Sequence, residues 1–257
     1  MFTGIIRSIA LIDSLSEANG IRNLVISFDS TFLSGLETGA SLSVDGVCLT
    51  VTSLLPENRA TFDVICQSLD VTTLDRLEEG DSVNVERAAM YGDEIGGHLL
   101  SGHIDFNTPI KEITLIDNNY RLRLFLPKPW EKYIFSKGYV ALNGASLTVS
   151  DVNTSENWFE VWLIPETIRA TTFIKKRVRD RVNVEIERST QVVVDTIRSK
   201  ISEDLGPLLP ALEKFLSENY QYPGFMGQKV TESLRASRES NGAKDDDHEE
   251  TKSLVKI

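Results

Sequence analysis

The residues Gly46-Val47-Cys48-Leu49-Thr50-Val51 decide the fold, because they return as Gly144-Ala145-Ser146-Leu147-Thr148-Val149, a shift of 98 residues. Three further blocks recur in the same order at shifts of 98 or 99 residues. They are residues 3–6 with 101–104, residues 69–74 with 168–173, and residues 83–86 with 182–185. This period is too long for a solenoid unit and suits a small domain, so the sequence predicts a duplication.

Each copy has the pattern of an all-β domain. Short segments rich in β-branched and aromatic residues alternate in polarity and are separated by short sequences that favour turns. Examples are residues 24–28, 60–64 and 82–86 in the first copy, and residues 120–126 and 158–163 in the second. About six short strands per copy predict two tandem six-stranded Greek-key β-barrels, with a sandwich as the alternative shape.

The repeat and the change of pattern after Glu187 define the predicted domains. Residues 1–95 and 96–187 are the two barrels, residues 188–203 a C-terminal helix, and residues 204–257 a helical and then disordered extension. The first helix carries an apolar stripe that would either pack on its own barrel or mediate self-association. A second helix is expected from Leu208 to about Tyr220, and the polar composition from Met226 onward predicts disorder.

Composition narrows the class of protein. The net charge of -11 argues against nucleic acid as the main partner, because a phosphate backbone selects a basic surface. Two cysteines, Cys48 and Cys66, are too few for a disulfide scaffold and indicate a reducing compartment. The sequence shows neither a signal-peptide pattern nor a stretch long enough to span a membrane. These features predict a cytoplasmic protein.

The segment 96–105 is the most distinctive candidate for a binding site. It holds His98 and His103 among three glycines, and glycines let a backbone approach a flat ligand. A histidine can donate, accept or transfer a proton near neutral pH, so either side chain could act on a ligand. The alternative interpretation is a structural turn between domains. A metal site is not expected, because no second ligand pair lies at a recognised spacing.

Two further motifs place polar side chains on strands or at a strand end. Alternation puts Cys48 and Thr50 on one face of a strand, and their counterparts Ser146 and Thr148 on the matching face. These side chains could line a pocket, although most free cysteines are simply buried. Glu166, near the end of a predicted strand, could bind a polyol, or the same segment could begin a short helix.

These motifs together resemble the α-type riboflavin synthase family, in order and over residues 1 to about 203. The matching segments are residues 1–6, 44–51, 84–88, 96–103 and 164–167. The resemblance implies that two molecules of 6,7-dimethyl-8-ribityllumazine exchange a four-carbon unit, giving riboflavin and 5-amino-6-(D-ribitylamino)uracil without a cofactor or a metal. It also implies a homotrimer built through the C-terminal helix, and an association with lumazine synthase.

The resemblance also implies the site residues. The implied catalytic residues are His103, Cys48, Ser146 and Glu187. The implied substrate contacts are the repeated motifs, the segments expected to flank the ribityl chains, and two single positions. They are Gly4, Ile5, Ile6, Ser41, Cys48, Leu49, Thr50, Asp63, Val64, Ile65, Cys66, Gln67, Ser68, Gly102, His103, Ile104, Lys137, Ser146, Leu147, Thr148, Ile164, Pro165, Glu166, Thr167, Ile168 and Arg169.

Four positions depart from the pattern of the family. Gln67 and Glu187 stand where the family commonly has Glu and Asp, and Asp70 and Thr73 replace a residue that is often basic and a common Asn. An alternative function is therefore a lumazine- or flavin-binding antenna protein, of the kind that luminous bacteria build on the same fold. Those proteins lose much of the sequence motif that marks the second binding site. This chain keeps that motif at residues 96–98, 101–103 and 146–148, which favours the enzyme.

Overall fold

The computed structural model describes residues 1–219, and its first half is a closed antiparallel barrel of six strands. The strands are β1 (Ser8–Ala18), β2 (Ile21–Ser27), β3 (Ser41–Val44), β4 (Val47–Leu55), β5 (Arg59–Ile65) and β6 (Ser82–Arg87). Their order around the barrel is β1-β2-β5-β4-β3-β6, and β1 pairs with β6 to close it. The neighbours β2–β5 and β3–β6 are not consecutive in sequence, as in a Greek key.

The second half repeats this barrel strand by strand. Its strands are β7 (Phe106–Ile116), β8 (Asn119–Phe125), β9 (Tyr139–Leu142), β10 (Ala145–Asn153), β11 (Trp158–Leu163) and β12 (Arg181–Ile186), in the equivalent closed order. Ser8 corresponds to Phe106, a shift of 98, and Ser82 to Arg181, a shift of 99. The extra residue lies in the turn between β10 and β11. The predicted duplication and the two six-stranded barrels are thus confirmed.

Alternation along the strands builds two separate cores. In β4 the side chains of Val47, Leu49 and Val51 are buried, and in β10 those of Leu147 and Val149 are buried. Each set belongs to the core of its own barrel. Full burial of one such aliphatic side chain stabilises the fold by about 1.5–3 kcal/mol. The residues between them face away from the barrel core, so their side chains could contact a ligand.

The segments that precede the barrels cross over to the opposite copy. Ile6 lies in the core of the second barrel, whereas Ile104 packs against the core of the first. The two segments also pair with each other, since the N–H of Phe2 donates to the carbonyl of Leu100 at 2.9 Å and the reverse bond is 3.0 Å. Each barrel therefore packs against a segment that belongs to the other copy.

In the described part of the chain, four α-helices accompany the strands. They are α1 (Cys66–Val71) and α2 (Pro165–Ala170), which follow equivalent strands, and α3 (Arg188–Leu205) and α4 (Leu209–Asn219). Short 3-10 helices span Thr73–Arg76, Lys128–Tyr133, Thr172–Lys175 and Gly206–Leu208. No helix within residues 1–219 combines the length and the apolar composition that crossing a bilayer requires. The disorder predicted from Met226 onward lies outside the described residues.

The apolar stripe of α3 divides between two environments. Val194 packs against the core of the second barrel, whereas Val193, Ile197 and Ile201 each expose more than half of their surface, at 55%, 53% and 53%. The chain divides within this helix into two compact units, Met1–Ile197 and a second that starts at Arg198. Within the first unit, Val194 therefore packs on the barrel, whereas Val193 and Ile197 are largely exposed.

A buried polar network joins the two barrels within the first unit. The Asn84 amide donates to the carbonyl of Asn143 at 2.9 Å, and its oxygen accepts from the N–H of Thr172 at 2.8 Å. Asn183 makes the equivalent bonds to Asp45 at 2.8 Å and Thr73 at 2.7 Å. Both asparagines are completely buried, so loss of one side chain leaves a donor and an acceptor unpaired in the interior.

We expect Asn84→Ala to lower the free energy of unfolding by about 2–4 kcal/mol, since it removes two buried hydrogen bonds that water cannot replace. Denaturant unfolding of the variant and the wild type measures this difference. Asn23→Ala is the control, because the amide of Asn23 bonds Asp63 at the exposed surface, and its cost should stay below about 1 kcal/mol. Equal losses in the two variants would contradict the structural role of the network.

Candidate active site

Two glycine segments lie against the two repeated strands in a crossed arrangement. The carbonyl of Gly102 accepts the N–H of Cys48 at 2.8 Å, and the carbonyl of Gly4 accepts the N–H of Ser146 at 2.8 Å. The first half-site thus combines Gly102 and His103 with Ser41, Cys48 and Thr50. The second half-site combines Gly4, Ile5 and His98 with Ser146 and Thr148. Each half-site takes its strand from one copy and its glycine segment from the other.

The contact between segment and strand requires glycine at both positions. A Cβ on Gly102 would lie 2.5 Å from the Cβ of Cys48, and a Cβ on Gly4 would lie 2.6 Å from the Cβ of Ser146. Both glycines also have positive φ, at 79° and 75°, which L side chains rarely adopt. The backbone therefore approaches the two polar side chains as closely as it can.

Two buried glutamates hold the glycine segments in place. Glu86 accepts from the N–H and hydroxyl of Thr3 at 2.7 and 2.6 Å and from the N–H of Gly4 at 3.1 Å. Glu185 accepts from the N–H and hydroxyl of Ser101, both at 2.7 Å, and from the N–H of Gly102 at 3.0 Å. Three donors per carboxylate fix the position of each segment.

Burial raises the pKa of both carboxyls, Glu86 and Glu185, and the three donated hydrogen bonds oppose this effect. These glutamates were not among the predicted site residues. The repeated blocks 83–86 and 182–185 contained the signal, because both read Val-Asn-Val-Glu and the glutamate is the one charged residue of each block. Their function in the site is to position the glycine segments.

Strand alternation sets which predicted contacts face outward. Cys48 and Ser146 are half-buried and Thr50 and Thr148 are exposed, whereas Leu49 and Leu147 point into the cores. Ser41 lies directly opposite Thr50 in the β3–β4 pair. The first half-site therefore presents a thiol and two hydroxyls, and the second presents two hydroxyls, to whatever binds there.

The second half-site contains a buried histidine. The Nδ1 atom of His98 lies 2.6 Å from the hydroxyl oxygen of Ser146, and its ring stacks on Tyr139 with centroids 5.1 Å apart. The Nε2 atom is buried without a hydrogen-bond partner within the described part of the chain. A ligand that reached this buried nitrogen would satisfy it. The segment 96–105 was predicted to hold a ligand-binding histidine, but His98 was not among the predicted contacts.

Burial lowers the pKa of His98, so its imidazole stays neutral below the usual titration range, and the negative charge of Glu187 opposes this shift. Glu187 itself accepts hydrogen bonds from the hydroxyls of Ser189 and Thr190, the latter at 2.6 Å, at the start of α3. These bonds hold the pKa of Glu187 below its ordinary value despite partial burial. The charge of Glu187 therefore acts on His98.

The segments predicted to flank the ribityl chains form the ends of β5 and β11 and the helices α1 and α2. Most of these side chains are exposed or half-buried, whereas Val64 is buried. Glu166 and Arg169 form a two-bond ion pair on α2, at 2.5 and 3.0 Å. Their counterparts in the first copy are Gln67 and Asp70, which cannot form such a pair. The two flanking helices therefore differ in charge and in hydrogen bonding.

Two further predicted contacts, His103 and Lys137, also have exposed side chains. His103 is exposed, and its carbonyl accepts from Arg188 at 2.9 Å, so α3 begins against the first half-site. Lys137 is exposed at a φ of 69°, where the first copy has Gly39 at 90°. Within residues 1–219 no cluster of three or more His, Cys, Asp or Glu residues is arranged to hold a metal ion.

Comparison with known proteins gives the class of this protein. The family model described as the lumazine binding domain matches residues 3–88 and again residues 101–187. These two matches coincide with the two barrels and include most residues of both half-sites. The protein is thus built from two tandem lumazine binding domains.

Similar proteins make the assignment more specific. A riboflavin synthase of Escherichia coli (strain K12) is 44% identical over 198 residues, which are 77% of this chain and 92% of that enzyme. A riboflavin synthase of Chlamydia pneumoniae is 45% identical over 200 residues, covering 77% of this chain and 96% of the relative. The chain belongs to the riboflavin synthase family. The predicted resemblance is therefore confirmed.

Solved structures share the fold at lower identity. A crystal structure of LumP complexed with riboflavin matches this chain with a TM-score of 0.67 and 25% identity. The match spans 73% of this chain and 100% of the LumP chain. LumP complexed with 6,7-dimethyl-8-(1'-D-ribityl) lumazine gives a TM-score of 0.66 at 24% identity, with the same coverage. The barrel pair is thus shared with a protein whose crystal structures contain these ligands.

Proposed function

We propose that this chain is a riboflavin synthase. It dismutates two molecules of 6,7-dimethyl-8-ribityllumazine into riboflavin and 5-amino-6-(D-ribitylamino)uracil, the last step in forming riboflavin. A four-carbon unit leaves one lumazine and completes the third ring on the other, so the atoms of two substrates balance those of two products. The reaction is a group transfer between two copies of one molecule.

The observation that carries this proposal is that one chain holds two half-sites of the same design. Each has a glycine segment fixed by a buried glutamate and lying on a strand with two outward polar side chains. A reaction between identical molecules needs two similar binding surfaces, and holding both substrates together converts a bimolecular step into an effectively unimolecular one. The names of the relatives at 44% and 45% identity support the same function.

The differences between the half-sites suggest different roles. The reaction needs the 7-methyl group of one lumazine deprotonated and the other lumazine activated by addition of a nucleophile. A neutral His98 accepting the Ser146 proton would make that oxygen a better nucleophile and leave Nε2–H to donate to the ligand. Cys48 offers a thiol in the first half-site, and His103 and Glu187 remain the other proposed catalytic residues.

We also propose that the protein is a homotrimer in which a half-site of one protomer faces the unlike half-site of its neighbour. The exposed apolar residues Val193, Ile197 and Ile201 of α3 support self-association through this helix. The two free cysteines, Cys48 and Cys66, agree with a reducing compartment such as the cytoplasm. Association with lumazine synthase stays a prediction of the family resemblance.

The charge of Glu187 gives a testable pH effect. Because Glu187 raises the pKa of His98, Glu187→Gln should lower it further, so the neutral imidazole persists to lower pH. We expect the acid limb of kcat/KM against pH to move toward lower pH in this variant. Glu37→Gln removes an equal charge from an exposed position and should leave the limb in place. An acid limb that moves to higher pH in Glu187→Gln, or does not move, would contradict this coupling.

The proposed function is tested by mixing the purified full chain with 6,7-dimethyl-8-ribityllumazine and measuring both products over time. We expect many turnovers per chain, with one riboflavin formed for every two lumazines consumed. Tight binding of lumazine with no riboflavin would instead identify a binding protein of the LumP type, and the enzyme assignment would then be wrong.

A further inference from the structure

A cleft of about 400 Å³ lies at the junction of the two barrels and shares no residue with the half-sites. It is lined by the 3-10 helices that follow α1 and α2, by the turns before β6 and β12, and by Asp45 at the junction. A volume of this size falls within the range of about 300–1,000 Å³ that small-molecule sites occupy. The proposed function makes no use of this cleft.

The cleft is basic in a chain that is strongly acidic. It has five cationic side chains and three carboxylates, whereas the whole chain has a net charge of -11. The cations are Arg76, Lys175, Lys176, Arg179 and Arg181. Concentrated positive charge on an acidic protein attracts anions to this one place.

The carboxylates of the cleft are engaged with backbone groups. Asp81 accepts from the N–H of Glu78 at 2.9 Å, Asp180 from that of Arg177 at 2.8 Å, and Asp45 from that of Asn84 at 2.8 Å. These bonds give each carboxylate a structural role in a turn. None of the five cations forms a close ion pair with these three acids in the described part of the chain, although the charge of Lys176 acts on the buried carboxyl of Asp45 and lowers its pKa against the effect of burial.

Several cations lack a carboxylate partner. Lys176 and Arg179 donate no side-chain hydrogen bond to any group in residues 1–219, and Lys175 donates to the hydroxyl of Ser82 at 2.7 Å. Arg181 donates to Asn107, and burial together with the charge of Arg76 lowers its pKa. An anion between these groups would relieve their mutual repulsion.

The duplication shows that this charge is not required by the fold. The first copy has Leu77, Gly80 and Ser82 where the second copy has Lys176, Arg179 and Arg181. Arg179 has a φ of 81°, close to the 87° of Gly80 at the same turn. A cationic side chain thus occupies, at a cost in backbone strain, a conformation that glycine adopts without strain. Such a cost points to a use for the side chain.

A buried hydroxyl provides an independent sign of a missing ligand. Thr172 lines the cleft and is only 2% exposed, yet its hydroxyl has no hydrogen-bond partner within the described residues. A buried hydroxyl without a partner is destabilising, and a phosphate oxygen would accept a hydrogen bond from it.

We propose that this cleft binds the phosphate group of a small molecule. Lys176 and Arg179 supply charge, Thr172 donates a hydrogen bond, and Arg76 and Arg181 complete the positive surroundings. The site is separate from the lumazine half-sites, so its occupant is a phosphate-bearing ligand other than the unphosphorylated substrate. The volume of the cleft leaves room for more than one phosphate group.

Titration calorimetry on the full chain tests this site with inorganic phosphate, pyrophosphate and ribose 5-phosphate as probes. The variants Lys176→Leu and Arg179→Gly introduce the residues that the first copy already has at these positions, so both should fold. We expect each variant to raise the Kd of the tightest-binding probe at least about 10-fold, corresponding to about 1.4 kcal/mol. Arg177→Ala, the neighbouring exposed cation outside the cleft, should leave affinity unchanged.

Thr172→Val gives a second readout. It should weaken binding several-fold without lowering Tm, because the lost hydroxyl has no partner in the protein. Tighter binding of ribose 5-phosphate than of inorganic phosphate would identify a phosphate ester as the ligand class, and the reverse would identify free phosphate. The proposal is overturned if no probe binds at concentrations on the order of 10 mM, or if binding is equal in the cleft variants and Arg177→Ala.

Discussion

Ser146→Ala is expected to lower kcat for riboflavin formation by about 100-fold or more, the scale at which loss of a positioned proton-transfer group acts. The substitution removes the oxygen that lies 2.6 Å from Nδ1 of His98. It leaves a buried imidazole with no partner on either nitrogen, since Nε2 already has none among the described residues. Steady-state kinetics with 6,7-dimethyl-8-ribityllumazine measures the loss.

Two variants on strand β10 separate chemistry from folding. Ser150→Ala removes an exposed hydroxyl that bonds Glu160 on the same barrel, and its kcat should match the wild type. Ser146→Cys gives the second half-site the thiol of the first, and we expect an intermediate rate. If Ser146→Ala kept the wild-type kcat, the pair of His98 and Ser146 would have no part in the reaction.

Gly102→Ala is expected to abolish turnover and to lower the free energy of unfolding by about 2–4 kcal/mol. Its Cβ would lie 2.5 Å from the Cβ of Cys48 and 2.9 Å from the backbone nitrogen of Cys48, at a φ of 79°. Strand β4 and the glycine segment would have to separate, and the first half-site would open. Denaturant unfolding and the turnover assay report the two effects.

Gly20→Ala is the matched control for this variant. Gly20 has nearly the same φ, 76°, but a Cβ there would meet nothing within 4 Å. Gly20→Ala should therefore cost only the backbone strain, about 1 kcal/mol, and leave turnover intact. If both variants lost the same stability and kept full activity, the close contact between Gly102 and Cys48 would have no importance.

The sequence predicted the fold well because a duplication tests every assignment twice. Segments such as 60–64 and 158–163 lie in strands β5 and β11, and the expected helix over residues 188–203 is α3 (Arg188–Leu205). The number of strands and the closed barrel followed from the same alternation. What the period could not show is that Ile6 packs in the second barrel and Ile104 against the first.

The crossed half-sites could not be predicted for the same reason. A repeat shows that Gly4 corresponds to Gly102 and Cys48 to Ser146, but it does not say which glycine contacts which strand. The structure pairs each glycine with the strand of the other copy. The position of His98 was likewise hidden, because contact with Ser146 depends on how residues 96–102 fold back rather than on spacing.

Differences between equivalent positions turned out to be as informative as matches. Glu166 and Arg169 form an ion pair on α2 that Gln67 and Asp70 cannot form on α1. An aligned pair of copies shows these charge changes, yet their meaning depends on which side chains share a surface. Only the folded chain shows that the basic residues of the second copy meet in one cleft.

The proposed reaction requires both half-sites for turnover. This requirement is tested most directly by Thr50→Tyr and Thr148→Tyr, which fill the first and second half-site from exposed strand positions, together with coexpression of the two variants. We predict that each variant alone binds riboflavin at one half-site and forms none from lumazine, and that coexpressed chains regain turnover where two intact half-sites meet. Full turnover by either variant alone would contradict this requirement.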